Sequence, residues 1–193
     1  VNMPADNIKR AIEKATGGSA ADQYEEVIYE GYGPGGVAIL VEAATDNRNR
    51  TAADIRATFA RAGGQLAGGG SVAWQFEPRG VIAIARDGHD ADAVALAAID
   101  AGADDVDTDA DDMIEVLTDP GHLEALRKSL EAAGFAVESA ELTMQPKQRI
   151  EVDHDAVRQN LRLLEALDDL DDVQRVSANF DLPAEVLAEV ASA

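Results

Sequence analysis

The order of apolar segments and glycine stops between residues 80 and 145 constrains the fold of this chain more than any other feature. Apolar residues alternate in the strand-like segments and recur every three or four positions in the helix-like ones, which Gly102 and Gly134 end. The predicted elements are strand 81–85, helix 90–101, strands 104–108 and 113–118, helix 120–133 and strand 136–144. This β-α-β-β-α-β order predicts a ferredoxin-like domain, with two helices on one face of an antiparallel sheet.

The segments on either side of this domain are each too incomplete to fold alone. Their predicted elements are a hairpin of strands 24–30 and 37–42, a helix capped by Thr51 and ended by Gly63, strands 71–77 and 149–152, helix 155–170 and strand 173–180. We therefore expect residues 21–79 and 146–182 to join into one discontinuous α+β domain, with 80–145 as the insertion. The predicted fold class is α+β with two domains. A short helix at residues 3–16 precedes them, and residues 183–193 are expected to form a C-terminal helical tail.

The charge of the chain is strongly negative but unevenly distributed. The 193 residues have a formal net charge of −21 at pH 7; residues 80–145 carry 16 acidic and 3 basic side chains, whereas residues 1–79 carry 10 and 8. Because the middle of the chain repels phosphate, any nucleic-acid contact is expected in the first third. The chain has no cysteine and no apolar run near the roughly 20 residues of a membrane helix. We expect a cytoplasmic protein with no membrane partner.

The sequence lacks the motifs that would indicate catalysis or a cofactor. The glycine-rich turn at 31–36 does not end in Lys-Ser/Thr like a P-loop and leads into a strand, so its glycines are expected to serve hairpin geometry. The acidic run from Asp105 is not a calcium loop, because Ala110 and Val116 stand where glycine and glutamate are required. The three histidines belong to no triad or zinc motif. We predict a non-enzyme with no catalytic residues, metal, cofactor or small-molecule substrate.

Residues 46–51 concentrate two arginines and two amides in one short polar segment. Guanidinium and amide groups contact the phosphates, sugars and base edges of nucleic acids. The alternative is a capped helix start in which Asp46 pairs with one of the arginines, and the residue types alone favour neither interpretation. The first helix adds a basic face, and a tyrosine flanks the glycine-rich turn. The candidate nucleic-acid-binding residues are Lys9, Arg10, Lys14, Tyr32, Asn47, Arg48, Asn49 and Arg50.

Several long motifs along the chain resemble those of one protein family. They are Tyr-Glu-Gly-Tyr-Gly-Pro-Gly-Gly at 29–36, Thr-Asp-Asn-Arg-Asn-Arg-Thr at 45–51, Gly-Ser-Val-Ala at 70–73, Ala-Gly-Ala-Asp-Asp at 101–105 and Leu-Asp-Asp-Val-Gln at 170–174. These motifs and their order are similar to those of the YebC/PmpR family over essentially the whole chain. The resemblance implies a three-domain cytosolic protein with a basic helical first domain. Residues 1–20 are expected to be a remnant of that domain, whose Lys- and Arg-rich segment is missing ahead of Val1.

The resemblance also implies a function in gene expression. Members of the family are described as DNA-binding transcriptional regulators. Relatives that include the mitochondrial translational activator of cytochrome c oxidase act on ribosomes and relieve stalling at proline-rich stretches. The expected partner is therefore a nucleic acid, either DNA or ribosomal RNA. A protein-binding adaptor that uses an apolar groove is a third alternative, and the sequence does not decide among them.

Overall fold

The computed structural model describes residues 24–86, 89–108 and 113–181. The predicted helix at 3–16 and the predicted tail at 183–193 lie outside the described residues. The chain divides into two compact units. Of the described residues, the first unit contains 24–71 and 151–176, and the second contains those between 72 and 150 together with 177–181. Both units combine helices with a sheet, which confirms the predicted two-domain α+β class.

The described residues form eight strands and four α-helices. In chain order they are β1 (Glu25–Tyr32), β2 (Ala38–Thr45), α1 (Arg48–Arg61), β3 (Gln65–Leu66), β4 (Phe76–Ala85), α2 (Ala91–Asp100), β5 (Asp105–Asp107), β6 (Met113–Thr118), α3 (Leu123–Ala132), β7 (Val137–Pro146), α4 (His154–Asp168) and β8 (Val173–Ala178). None of these helices combines the length and the apolar character that crossing a membrane requires.

The first unit contains a four-stranded sheet in the order β3-β1-β2-β8. Strands β1 and β2 form the predicted antiparallel hairpin, with Glu25 opposite Thr45 at one end and Tyr32 opposite Ala38 at the other. The turn between them is a single 3-10 turn in which Gly35 has a φ of 76°, a conformation that glycine adopts without a steric penalty. The glycine-rich segment therefore serves hairpin geometry, as its sequence predicts.

The core of the first unit is formed by β2 and by the apolar stripes of two helices. Residues 37–41 are completely buried. Helix α1 buries Ile55 and Phe59, spaced four residues apart, and α4 buries Leu163 and Leu167 at the same spacing. Each fully buried side chain of this size contributes about 1.5–3 kcal/mol to folding. Helices α1 and α4 also pack against each other, which fixes the position of their exposed faces.

Helix α1 begins four residues earlier than the sequence predicts. Asn47, and not Thr51, is the N-cap, and its side-chain oxygen accepts a hydrogen bond of 3.2 Å from the backbone N–H of Arg50. Thr51 lies inside the helix and is 1% exposed. Asparagine and threonine are both good N-caps, and the apolar spacing of α1 starts only at Ile55, so local pattern does not distinguish the two. The polar segment is thus the first turn of a helix.

The second unit has the predicted ferredoxin-like topology. Its antiparallel sheet has the order β5-β6-β4-β7, so the first and third strands of the β-α-β-β-α-β cycle are central. Alternate residues of β4 and β6, including Ile82, Ile84 and Ile114, form one buried cluster with Leu126 and Leu130 of α3. One face of each strand is therefore buried against the helices.

Two predicted strands are wrong. Residues 71–77 were expected to form a strand with Val72, Trp74 and Phe76 on one side, but residues 73–75 form a 3-10 turn, and the side chain of Trp74 is 67% exposed. The strand begins at Phe76 and continues through Pro78 and Gly80, so the expected domain boundary at 79/80 falls inside β4. Pro78 is tolerated because β6 pairs with β4 only from Gly80 onward. Residues 149–152 form no strand, and only Ile150 makes an isolated bridge, to Phe180.

Candidate nucleic-acid interface

Arg50 is held by two aspartates. Its Nη2 lies 2.8 Å from Oδ1 and 2.9 Å from Oδ2 of Asp172, and 2.8 Å from Oδ1 of Asp46. Hydrogen bonding to Asp172, followed by that to Asp46, raises the pKa of the Arg50 guanidinium above its ordinary value. The helix-start interpretation, in which Asp46 pairs with an arginine, therefore describes this contact. Arg50 has little uncompensated charge to offer to a phosphate.

Asp172 is the centre of a small polar cluster that includes two threonines. The Thr51 hydroxyl donates to Oδ2 of Asp172 at 2.6 Å, and the Thr45 hydroxyl lies 3.3 Å from the same oxygen. These bonds, with Arg50 as the second contributor after Thr51, hold the pKa of Asp172 below its ordinary value. The backbone N–H of Ala44 also donates to the Asp172 carbonyl at 2.8 Å. The cluster joins the end of β2, the first turn of α1 and the residues before β8.

Asn47, Asn49 and Arg48 differ in whether their side-chain polar groups already have a partner within the protein. Asn47 uses its side-chain oxygen as the cap of α1. Asn49 is exposed, and Arg48 is exposed with a weak ion pair of 3.5 Å to Glu25. Both charged side chains of that pair are more than 60% exposed, so the pair contributes little to folding. Asn47 and Arg50 are exposed as well, but their side chains are committed to the cap and to the aspartates. Arg48 and Asn49 are therefore the two candidates of this segment with side chains available to a ligand.

Tyr32 holds a neighbouring loop in place through its hydroxyl group. Its hydroxyl donates to the backbone carbonyl of Ser71 at 3.0 Å, and the side chain is half-buried. The neighbouring Glu30 accepts a bond of 2.6 Å from the backbone N–H of Gly70. Together these contacts fasten the loop at 67–71 to β1. Three further candidates lie outside the described residues: Lys9, Arg10 and Lys14.

The surroundings of Arg50 are acidic. An open cleft of about 580 Å³ is lined by Arg50 and by five aspartates, together with three other residues. The aspartates are Asp46, Asp54, Asp169, Asp171 and Asp172. Within the described parts of the chain, no group of three or more acidic or histidine side chains has an arrangement that could hold a metal ion. The negative charge of these aspartates makes the cleft unfavourable for a phosphate group. The sequence gives no signal for the role of Asp172, because its partners Arg50 and Thr51 are about 120 residues away in the chain.

Comparison with known proteins agrees with this architecture. A family model described as the second and third domain of TACO1/YebC matches residues 24–180, which include both units. The chain belongs to the TACO1/YebC family. This confirms the family that the motifs indicate.

Individual members of the family are similar over nearly the whole chain. A "Probable transcriptional regulatory protein" of Rubrobacter xylanophilus is 51% identical over 191 residues, covering 98% of this chain and 76% of the relative. A protein of the same name from Thermomicrobium roseum is 50% identical over 189 residues, covering 97% and 76%. The crystal structure of the conserved hypothetical protein Aq1575 from Aquifex aeolicus superposes with a TM-score of 0.83 at 41% identity, covering 96% of this chain and 76% of that one. The names place the family among regulators of transcription.

Proposed function

We propose that this protein is a non-enzymatic regulator of gene expression that acts in the cytoplasm and contacts DNA as a transcriptional regulator. The observation that carries the proposal is the exposed pair Arg48 and Asn49 on the first turn of α1, in a chain whose relatives are named as transcriptional regulators. Guanidinium and amide groups are suited to phosphate oxygens and base edges.

The eight candidate residues have different roles in this proposal. Arg48 and Asn49 contact the nucleic acid directly, together with Lys9, Arg10 and Lys14 at the start of the chain. The other three candidates support that surface from within the fold. Asn47 caps α1, Arg50 ties its first turn to Asp172, and Tyr32 fastens the loop at 67–71.

The variant Arg48→Gln tests the proposal. Its ion pair with Glu25 is exposed, so folding is expected to change little. DNA binding should weaken, and the slope of log K against log salt should decrease by about 0.9, the value for one lost phosphate contact. The matched control is Lys128→Gln, which removes the same charge from an exposed position on α3. Fluorescence anisotropy of labelled DNA measures both; identical affinities and slopes for Arg48→Gln and the wild type would reject the role of Arg48.

Action on the ribosome is a second candidate function, and the acidic cleft around Arg50 favours it. Five aspartates beside the arginine segment oppose the many phosphate contacts that binding to free duplex DNA requires. Docking on a large ribonucleoprotein needs fewer phosphate contacts, because other groups share the interface. Co-sedimentation with purified ribosomes, compared with DNA binding by the same preparation, separates the two functions. Ribosome binding without DNA binding would replace the transcriptional proposal with the translational one.

A further inference from the structure

Two arginines from distant parts of the chain line one open groove of the first unit. Arg61 is in the last turn of α1 and Arg162 is in the middle of α4, and the groove between these helices has a volume of about 340 Å³. This volume is at the lower end of the roughly 300–1,000 Å³ typical of ligand clefts. The remaining lining residues are Thr58, Ala62, Gln159 and Ala166. Thr58 donates its hydroxyl to the backbone carbonyl of Asp54, so Arg61, Arg162 and Gln159 are the side chains with donors available to a ligand.

Within the described residues, the guanidinium groups of this groove have no ion-pair partner, although the protein is strongly acidic. Acidic side chains outnumber basic ones by 37 to 16. Arg50 and Arg127 each contact two carboxylates at 3.0 Å or less. Within the described residues, by contrast, the guanidinium groups of Arg61 and Arg162 have no carboxylate oxygen within 4.0 Å, and their side chains make no hydrogen bond. The fold therefore brings the positive charges of Arg61 and Arg162 together without carboxylate partners, whereas it pairs Arg50 and Arg127 with carboxylates.

None of the described residues that line the groove is acidic. Two neighbouring clefts of the same unit differ in this respect. The cleft around Arg50 is lined by five aspartates, and the cleft between the hairpin turn and the start of α4 is lined by Asp153 and Asp155. A phosphate group would be repelled from both of these clefts and attracted to the groove. Charge complementarity thus identifies an anion as the ligand.

We infer that the groove formed by Arg61, Arg162 and Gln159 binds phosphodiester groups of a nucleic-acid strand. This inference rests on the proposed function, since it supplies that function with a second contact surface. Planar guanidinium groups bind phosphate oxygens in a bidentate manner, and the Gln159 amide adds a donor for a sugar or base edge. The surface is separate from Arg48: thirteen residues along an α-helix correspond to about 20 Å of rise and place the two side chains about 140° apart around the axis.

The double variant Arg61→Gln/Arg162→Gln tests the inference in the full chain. Labelled single-stranded RNA and duplex DNA are titrated by fluorescence anisotropy over a range of salt concentrations. The log–log salt slope should decrease by about 1.4–1.8, because each lost contact removes about 0.7 to 0.9. If affinities converge near 1 M salt, this corresponds to a loss of about 25- to 60-fold at 0.1 M. The variant Arg61→Lys/Arg162→Lys should have the salt slope of the wild type, since it keeps both positive charges that the glutamine variant removes.

The matched control is Arg56→Gln/Lys128→Gln, which removes two positive charges from exposed positions outside the groove. Thermal unfolding of all variants is measured in parallel, and the single variants replace the double one if it does not fold. An equal loss in the control and the groove variant would overturn the inference, because net charge alone would then explain binding. Unchanged binding by the groove variant would overturn it while leaving the proposed function intact.

Two further outcomes show whether the proposed function itself fails and whether the groove binds a phosphate group that does not belong to a nucleic acid. If the wild-type chain binds neither RNA nor DNA, the proposed function and the inference both fail. Vesicles containing anionic phospholipid, and inorganic phosphate at matched ionic strength, serve as the other probes. Binding of either probe at the groove without binding of nucleic acid would assign the site to a lipid headgroup or a free anion and would overturn the inference.

Discussion

Asp172 has a structural effect that depends on pH. Its carboxylate accepts bonds from Thr51 and Arg50, and these hold its pKa below the ordinary value of 3.8. A carboxyl whose pKa is lower in the folded state than in the unfolded chain stabilises the fold when it is ionised. The stabilisation is therefore fully present above the unfolded pKa and is lost as the pH falls below 3.8 through the folded pKa.

The variant Asp172→Asn is expected to lower the free energy of unfolding by about 2 kcal/mol at neutral pH, the usual range for hydrogen bonds to a charged group. The difference from the wild type should shrink as the pH falls below 3.8, where the wild-type carboxylate also loses its charge. Urea unfolding at a series of pH values measures this. The control is Asp171→Asn, an exposed neighbour, which should be nearly neutral. A pH-independent difference for Asp172→Asn would contradict the electrostatic explanation.

Gly33 is required by close packing against α4. A β-carbon at this position would lie 2.0 Å from Oδ1 of Asn160, a completely buried residue whose amide donates to the carbonyls of Pro34 and Ala156. We expect Gly33→Ala to destabilise the protein by about 1–3 kcal/mol through overpacking. Adding Asn160→Ala should remove part of this penalty, so a double-mutant cycle should give a coupling energy. Gly68→Ala is the control and should be nearly neutral, because no non-neighbouring atom of the described residues would lie within 4 Å of the added β-carbon.

At the candidate interface the residue types and the local partner Asp46 were predictable, but the distant partner Asp172 was not. The sequence identifies residues 46–51 as an unusual cluster of arginines and amides, and the structure shows Arg48 and Asn49 exposed there. The sequence does not show that Asp172, one of 37 acidic residues, pairs with Arg50. The partner is 122 residues away, and only the packing of β8 beside β2 brings it close. For the same reason the groove between Arg61 and Arg162 has no local sequence signal.

At the level of the element, the first turn of α1 is stabilised by the Asn47 cap, and mutation can test this structural role separately from any contact of Asn47 with a ligand. Asn47→Ala removes the cap and should cost about 1 kcal/mol, whereas Asn47→Asp retains an acceptor and should cost much less. Thermal unfolding measures both. Nucleic-acid binding by the folded variants then shows whether the amide has a second role. If Asn47→Ala is as stable as the wild type, the cap assignment is wrong.

Elements whose burial follows a local period were predicted within a few residues. Helices α2 and α4 and strand β6 show this, because each places apolar residues at the spacing of its own secondary structure. The segment at 71–77 failed because three alternating apolar residues satisfied the strand pattern, while Val72 and Phe76 are buried and Trp74 is exposed around a 3-10 turn. The expected strands 71–77 and 81–85 also divide what is a single strand, Phe76–Ala85. Pairing with β7 runs along this strand from Phe76 to Ile84 and keeps it continuous through Pro78 and Gly80.

At the level of the whole molecule, the net charge of −21 opposes the compact state through self-repulsion. One pair of like charges on neighbouring strands can be identified in the second unit. Glu115 of β6 lies directly opposite Asp107 of β5 and opposite Ala83 of β4, so two acidic residues share the exposed face of the sheet. Like charges in directly opposed positions are destabilising by roughly 0.2–1 kcal/mol.

We therefore expect the melting temperature to rise when sodium chloride is increased from about 0.01 M to about 1 M, a range over which the Debye length shortens from about 30 Å to about 3 Å. Glu115→Lys should melt at a higher temperature than the wild type at low salt and should show a smaller rise, because it replaces a repulsion with an attraction to Asp107. Glu115→Gln should be intermediate, since it only removes the repulsion. Calorimetry at each salt concentration measures all three. If their melting temperatures rise in parallel, the salt effect comes from general salting-out of apolar surface, and the repulsion between β5 and β6 contributes nothing measurable.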